Sequence, residues 1–256
     1  MGSCEDCHKK NLFRKTGNWV KVDGKDRREM ICRCGHVQLE DPPQEIKVKP
    51  KILYFDIETA PFKLEMQRFD LSLKSGYLDW HDITKPFFII CWAAAWVDLD
   101  TDGQEKIMTG AVTGWEAKRR TDKRHLKILH DLLSQADYVV GHNSKGFDVR
   151  KVETRFILNN MPAPYEFQQR DTLTIVKRRF KNESNALDYW MKLFGGQRKD
   201  DMHFEDWLKV CQGDQKTINK MVHYNKGDIQ AGMVLLKKLV RYIEAGAKNR
   251  APKVFP

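Results

Sequence analysis

The spacing of apolar positions changes several times along the chain, and each change marks an element. The run Lys51-Ile-Leu-Tyr-Phe-Asp-Ile-Glu-Thr59 begins as a nearly continuous apolar stretch of strand length, which predicts a strand over Ile52 to Ile57. Comparable runs predict strands at Phe87 to Val97, Lys106 to Thr109 and Tyr138 to Gly141. A three-to-four residue period then predicts helices over Lys123 to Ala136, Val149 to Asn159, Leu173 to Phe180 and Leu187 to Phe194, with a long last one from about Thr217 to Ala245. Strands first, then helices alternating with strands, imply an α/β fold with a mixed sheet flanked by helices. Residues 1 to about 40 carry no long periodic segment, and Asp41-Pro42-Pro43 with the polar stretch to Pro50 reads as a linker. The expected organisation is a small module at 1–40, a linker at 41–50, a main domain at 51–245 and a frayed tail at 246–256.

Composition narrows the class. Of 256 residues 41% are hydrophobic, enough for one good-sized core, and no apolar run is long enough to cross a bilayer. The polar N-terminus has no signal-peptide pattern, so a cytoplasmic protein without a membrane partner is expected, in the host cytoplasm if the gene is phage-borne. The formal charge is +10, with blocks such as Lys118-Arg119-Arg120, Lys123-Arg124 and Lys177-Arg178-Arg179. Such blocks suit a phosphate backbone, and equally a merely solvated basic face.

Four of the six cysteines lie within the first 34 residues. Cys4-x-x-Cys7 and Cys32-x-Cys34-Gly35-His36 look like a zinc ribbon, in which thiolates on two short turns close a tetrahedral site around one Zn²⁺ and hold together a segment too small to fold by burial. The second pair has one intervening residue where two are commoner, so His36 or His8 remains an alternative to one of Cys4, Cys7, Cys32 and Cys34. The basic and aromatic residues of this module could guide single-stranded nucleic acid or dock a protein.

The apolar strand at 52–57 is interrupted by Asp56 and Glu58. Residues two apart on a strand point to one side, so these carboxylates face together while Phe55 and Ile57 point to the other, packed face. Two like charges side by side near a core are costly unless a cation compensates them or they lie solvated at an exposed strand end. Further on, Gly141-His-Asn-Ser-Lys-Gly-Phe-Asp148 closes one strand and opens a helix, and Met221-Val-His-Tyr-Asn-Lys-Gly-Asp-Ile229 places an acid inside the last helix.

Asp-x-Glu, then Asp, then Tyr-x-x-x-Asp resembles the three motifs of the DEDD superfamily of 3′–5′ exonucleases, which share the ribonuclease H-like fold. "FDIET", "GHN" followed by "FD", "ALDYWMKLFG" and "MVHYNKGDI" are similar to the phage and bacterial branch of that superfamily, and the resemblance runs from about Lys51 to Ala245. It implies that Asp56, Glu58, Asp148 and Asp228 are catalytic and bind two Mg²⁺ or Mn²⁺ ions, hard cations that prefer oxygen ligands. It also implies that Thr59 and Asn143 contact substrate, although Asn143 reads equally well as a turn residue satisfying backbone donors.

The superfamily divides by the residue that orients the attacking water, Tyr four positions before the last Asp or His five before. Four residues back on a helix lies about 40° from Asp228 and five about 140°, which favours Tyr224 over His223. Asp171 and Asp188 are further candidate acids, and Asp188 fits a first-turn helix position by charge alone. The resulting expectation is a metal-dependent 3′–5′ exonuclease on single-stranded DNA or 3′ ends, with a polymerase or other replication partner possible. Two alternatives stay open: a 3′–5′ exoribonuclease of the RNase D kind, and a nucleic-acid-binding module without catalysis.

Overall fold

The computed structural model describes residues 8, 13–23, 25–40, 49–64, 80–101, 105–195 and 201–246. Of the expected linker at 41–50, residues 41–48 lie outside the described residues, as do 247–256 of the expected tail at 246–256. Two compact units divide the chain, Met1–Lys49 and Pro50–Pro256.

The first unit is a three-stranded antiparallel sheet, β1 (Phe13–Val22), β2 (Lys25–Cys32) and β3 (Val37–Glu40), in that order. The sequence pattern alone did not indicate these strands, because β1 and β2 mix charge with apolar residues and have little core to face. A tight turn joins β2 to β3: Cys32 N–H donates to His36 O at 2.8 Å and Gly35 N–H to Cys32 O at 3.0 Å. Gly35 has φ +93°, a left-handed conformation that glycine adopts without strain.

The second unit is built on a five-stranded mixed sheet in the order β10-β9-β4-β7-β8. Its strands are β4 (Ile52–Thr59), β7 (Ile89–Val97), β8 (Ile107–Ala111), β9 (Tyr138–Gly141) and β10 (Gln168–Asp171). A two-stranded ribbon, β5 (Lys63–Leu64) with β6 (Ile83–Lys85), lies between β4 and β7 in the chain. The helices are α1 (Gly114–Arg119), α2 (Lys123–Gln135), α3 (Asp148–Leu158), α4 (Thr172–Arg179), α5 (Leu187–Leu193), α6 (Phe204–Cys211) and α7 (Gln215–Gly246). β4 runs antiparallel to β7 and parallel to β9, so the mixed α/β architecture agrees with the sequence pattern. Strand β10 and helices α1 and α6 were not foreseen: β10 reads Gln-Gln-Arg-Asp and draws its stability from pairing with β9. Among the described residues no helix is long and apolar enough to cross a membrane.

Strand alternation divides the core. Leu53, Phe55 and Ile57 join Trp92, Ala94, Leu126, Leu129, Val152 and Phe156 on the face covered by α2 and α3. Ile52 and Tyr54 join Ala93, Ala95, Ile229, Met233, Leu236 and Val240 on the face covered by α7. β7 therefore presents alanines to α7, and α7 presents Gly232 to Tyr54, where a Cβ would overlap the tyrosine ring and hydroxyl. Small residues on both elements permit a close helix-to-sheet approach.

A buried polar node anchors the start of β7. Asp122 accepts from Arg155 Nε at 2.7 Å and Nη2 at 2.8 Å, from Asn159 Nδ2 at 2.8 Å and from Ile89 N–H at 2.9 Å. With several donors on one carboxylate, the ion pair is fully satisfied and orders the backbone it grips. His125 Nε2 donates to Ile89 O at 3.1 Å, and burial lowers its pKa to about 4, so it stays neutral there. Just beyond, the register slips from Glu58 opposite Cys91 to Thr59 opposite Ile89, leaving Ile90 as a bulge that re-aims the strand end.

Gly232→Ala is expected to destabilise the protein by about 1–3 kcal/mol through overpacking against Tyr54. Urea unfolding of the variant checks this, and a change below about 0.5 kcal/mol would show that the helix seats without that constraint.

Candidate metal centre

β4 delivers Asp56 and Glu58 to the α7 face at the strand's C-terminal end, and α7 delivers Asp228 to the same place. One carboxylate oxygen of each of Asp56, Glu58 and Asp228 lies within 4.8 Å of the others. All three are half-buried. The spacing follows from element geometry: two residues along β4, from Tyr54 to Asp56, advance about 6.6 Å, and four along α7, from Gly232 to Asp228, advance about 6 Å. A helix seated with Gly232 over Tyr54 must therefore bring Asp228 over Asp56.

Asp148 stands outside this three-oxygen group but beside it. It is buried at the first position of α3, and its Oδ1 accepts the Ile57 N–H at 3.2 Å. Burial raises its pKa to about 7. Burial likewise pushes the Asp56 carboxyl well above its ordinary range, followed by the charges of Asp148, Glu58 and Asp228. Four acids crowded in this way repel one another, and a divalent cation is the natural compensation for such an oxygen-only donor set.

Asn225, which the sequence analysis did not single out, is part of the site. Its side chain is fully buried and its Nδ2 donates to Asp56 Oδ2 at 2.6 Å, opposing the upward shift of that carboxyl. The available signal was its place three residues before Asp228, on the same side of the helix. Asp171 proves to be a brace. Its carboxylate accepts the N–H groups of Leu173 at 2.9 Å and Thr174 at 3.3 Å at the start of α4, and of Asn143 at 3.0 Å and Lys145 at 3.1 Å in the loop leading to Asp148. His142 strengthens the same loop, with Nε2 donating to Asn185 O at 2.9 Å and Nδ1 lying 2.9 Å from Thr172 Oγ1.

The remaining expected residues fall as follows. Asn143 occupies a left-handed turn with φ +72°, and its carbonyl accepts from Gly146 and Phe147 N–H, both at 3.0 Å. Its backbone thus performs the turn role, and its side chain is exposed. Thr59 is half-buried directly after the bulge. Tyr224 is half-buried and His223 exposed on α7, which is continuous through both. Asp188 is exposed in the first turn of α5. In the first unit Cys32 is buried and Cys34 exposed on the turn to His36, while Cys4 and Cys7 lie outside the described residues.

The family model described as the RNase_H superfamily matches residues 98–240, more than half of the chain. The chain belongs to the RNase_H superfamily. The matched span contains Asp148 and Asp228 and begins after Asp56 and Glu58. Among solved structures, the family B DNA polymerase from the hyperthermophilic archaeon Pyrobaculum calidifontis is similar, with a TM-score of 0.53 and 18% identity over 90% of this chain. That likeness is one of fold, and the chain spans 28% of the polymerase chain. No curated protein matches the sequence. Superfamily membership and the acidic cluster together support a nuclease that acts on nucleic acid and uses divalent metal ions.

With Asp148 raised to about 7 and Asp56 raised above its usual range, the folded protein retains protons that the unfolded chain releases near pH 4. The stability these groups contribute is full below that pH and is lost as pH rises through about 7. In EDTA the melting temperature is expected to fall over this window, less in Asp148→Asn, and to recover by roughly 5 °C when Mn²⁺ is added at about 100 times its Kd. Calorimetry across pH checks both signs. Asn225→Ala should weaken Mn²⁺ binding roughly 10- to 100-fold, as loss of a donor that orients a ligand does, read by titration calorimetry.

Proposed function

We propose that this RNase_H superfamily protein is a metal-dependent 3′–5′ exonuclease acting on single-stranded DNA or frayed 3′ ends. The observation that carries the reading is the convergence of Asp56, Glu58 and Asp228, with Asp148 buried beside Asp56. In this reading the four carboxylates hold two Mg²⁺ or Mn²⁺ ions, which supply Lewis-acid stabilisation of the phosphoryl oxygens and a more acidic water.

The chain's own residues supply position and proton handling. Tyr224, one helical turn before Asp228, orients the attacking water through its hydroxyl, while Thr59 and Asn143 hold the terminal nucleotide next to the bulged strand end. The water oxygen bonds to the terminal phosphorus, the bond from phosphorus to the preceding 3′ oxygen breaks, and a nucleoside 5′-monophosphate leaves. Asn225 keeps Asp56 oriented throughout. Asp171 and His142 keep the 142–147 loop in place so that Asp148 cannot swing away.

DNA is preferred over RNA because the similar solved chain is a DNA polymerase, and a role in replication or repair, including proofreading beside a separate polymerase chain, is in keeping with that likeness. The same reading gives residues 1–40 a structural Zn²⁺. The tight Cys32 to His36 turn is suited to present two donors, with Cys4 and Cys7 as the other pair.

The test is incubation with 3′- and 5′-labelled single-stranded DNA and RNA of one sequence in Mg²⁺, Mn²⁺ or EDTA. Metal-dependent shortening from the 3′ end is expected, abolished in Asp56→Ala and reduced roughly 10²- to 10⁴-fold in Tyr224→Phe. Faster loss of RNA than DNA would assign the exoribonuclease alternative. Absence of cleavage of either polymer, with nucleic acid still bound, would leave a binding module.

A further inference from the structure

Helix α1 begins three residues past the end of β8, at the end of the sheet that carries the carboxylates: Glu58 lies opposite Cys91, and Cys91 opposite Ala111. Two strand spacings of about 4.8 Å separate Ala111 from Glu58. The helix is only six residues long, yet it is fixed at both ends. At its start Thr113 and Glu116 form a capping box, Gly114 N–H donates to Gln215 Oε1 at 2.8 Å, and Gly114 abuts Gly213 too closely for a side chain at either position. At its end Arg120, in a left-handed conformation, donates through Nε to Pro86 O at 3.0 Å and through Nη2 to Pro61 O, two residues after Thr59. Glu116 is also gripped by Arg124, at 2.8 Å from both Nε and Nη2.

This bracing sorts the basic blocks of the sequence. Arg120 and Arg124 are committed to internal bonds, while Lys118, Arg119 and Lys123 are exposed. Trp115 is 61% exposed, an unusual position for the largest apolar side chain, and the Arg119 guanidinium lies 4.0 Å from its ring centroid. Helix α6, which packs beside α1 through Val210 and Ala117, also leaves Phe204 exposed. A rigid helix carrying an open indole, a guanidinium held over it and further cations is a stacking platform in a positive field, the combination by which single-stranded nucleic acid is held without regard to sequence.

We propose that α1 is a guide for single-stranded DNA, on which Trp115 stacks a base and Arg119 with Lys118 neutralises the adjoining phosphates upstream of the 3′ end. The proposal rests on the exonuclease reading for its polymer and polarity, but its binding test does not require cleavage. Fluorescein-labelled dT12 is titrated with protein in EDTA, followed by anisotropy. Trp115→Ala and Arg119→Ala are each expected to raise Kd about tenfold, with Trp115→Phe restoring most of the affinity and the wild-type binding showing a steep dependence on salt. Hydrolysis of the p-nitrophenyl ester of thymidine 5′-monophosphate, too short to reach α1, should be unchanged in Trp115→Ala, while KM for dT12 rises by about the same tenfold. If wild type hydrolyses nothing but Trp115→Ala still binds dT12 weakly, the catalytic reading fails and the platform stands. Kd values within twofold of wild type for both alanine variants would overturn the platform, as would an equal loss on the one-nucleotide ester, which would mark a structural role for the tryptophan.

Discussion

Helix α7 can lie close against the sheet because position 232 carries no side chain and β7 places Ala93 and Ala95 beneath it. Tyr54 fills the room that Gly232 leaves, and this fixes how far along the strand the helix can slide. The advance per residue in a strand is roughly twice that in a helix, so a two-residue step on β4 matches a four-residue step on α7. The register that satisfies Tyr54 also sets Asp228 and Asn225 against Asp56. A packing constraint in the apolar core thereby becomes a chemical constraint at the strand end.

The arrangement works against stability where it serves chemistry. Bringing three carboxylate oxygens within 4.8 Å of each other, with a fourth acid buried alongside, raises the protonation of the group and favours any process that removes the repulsion. Neutral donors hold the geometry without neutralising it: Asn225 bonds Asp56 and the Ile57 backbone bonds Asp148. The compensating rigidity comes from farther out. Asp122 with Arg155 ties down the start of β7, and Asp171 ties α4 to the loop before Asp148, so the elements bearing the acids cannot relax apart.

The superfamily match and the site overlap without coinciding. Residues 98–240 carry the family pattern and hold Asp148 and Asp228, whereas Asp56 and Glu58 lie on the strand before it. The centre is completed only when β4 inserts between β7 and β9 in the sheet. The three-stranded unit and the sheet unit are separate compact units, and all four of these carboxylates belong to the second.

The main strands and helices of the sheet unit were legible because each buries one face, and burial imposes a period on the sequence. Asp56 and Glu58 were legible as acids interrupting an apolar strand, whereas Asp148 and Asp228 stood out through motifs that resemble those of the DEDD exonucleases. Strand β10 and the short helices α1 and α6 were not, since pairing with β9 or packing against α7 stabilises them more than their own composition does. Asn225 escaped notice, and Asp171 was legible only as a further acid and not as a brace, for a related reason: an amide or a carboxylate acquires its role from the partner it meets, and those partners lie 169 residues away for Asn225 and 28 for the Asn143 N–H held by Asp171. By itself the sequence determined which residues could carry charge and which faces had to be buried, because both depend on local periodicity. Which of those charges meet, at what distance and with which neutral neighbour, was decided by the seating of α7 on β4, a contact that only the folded chain contains.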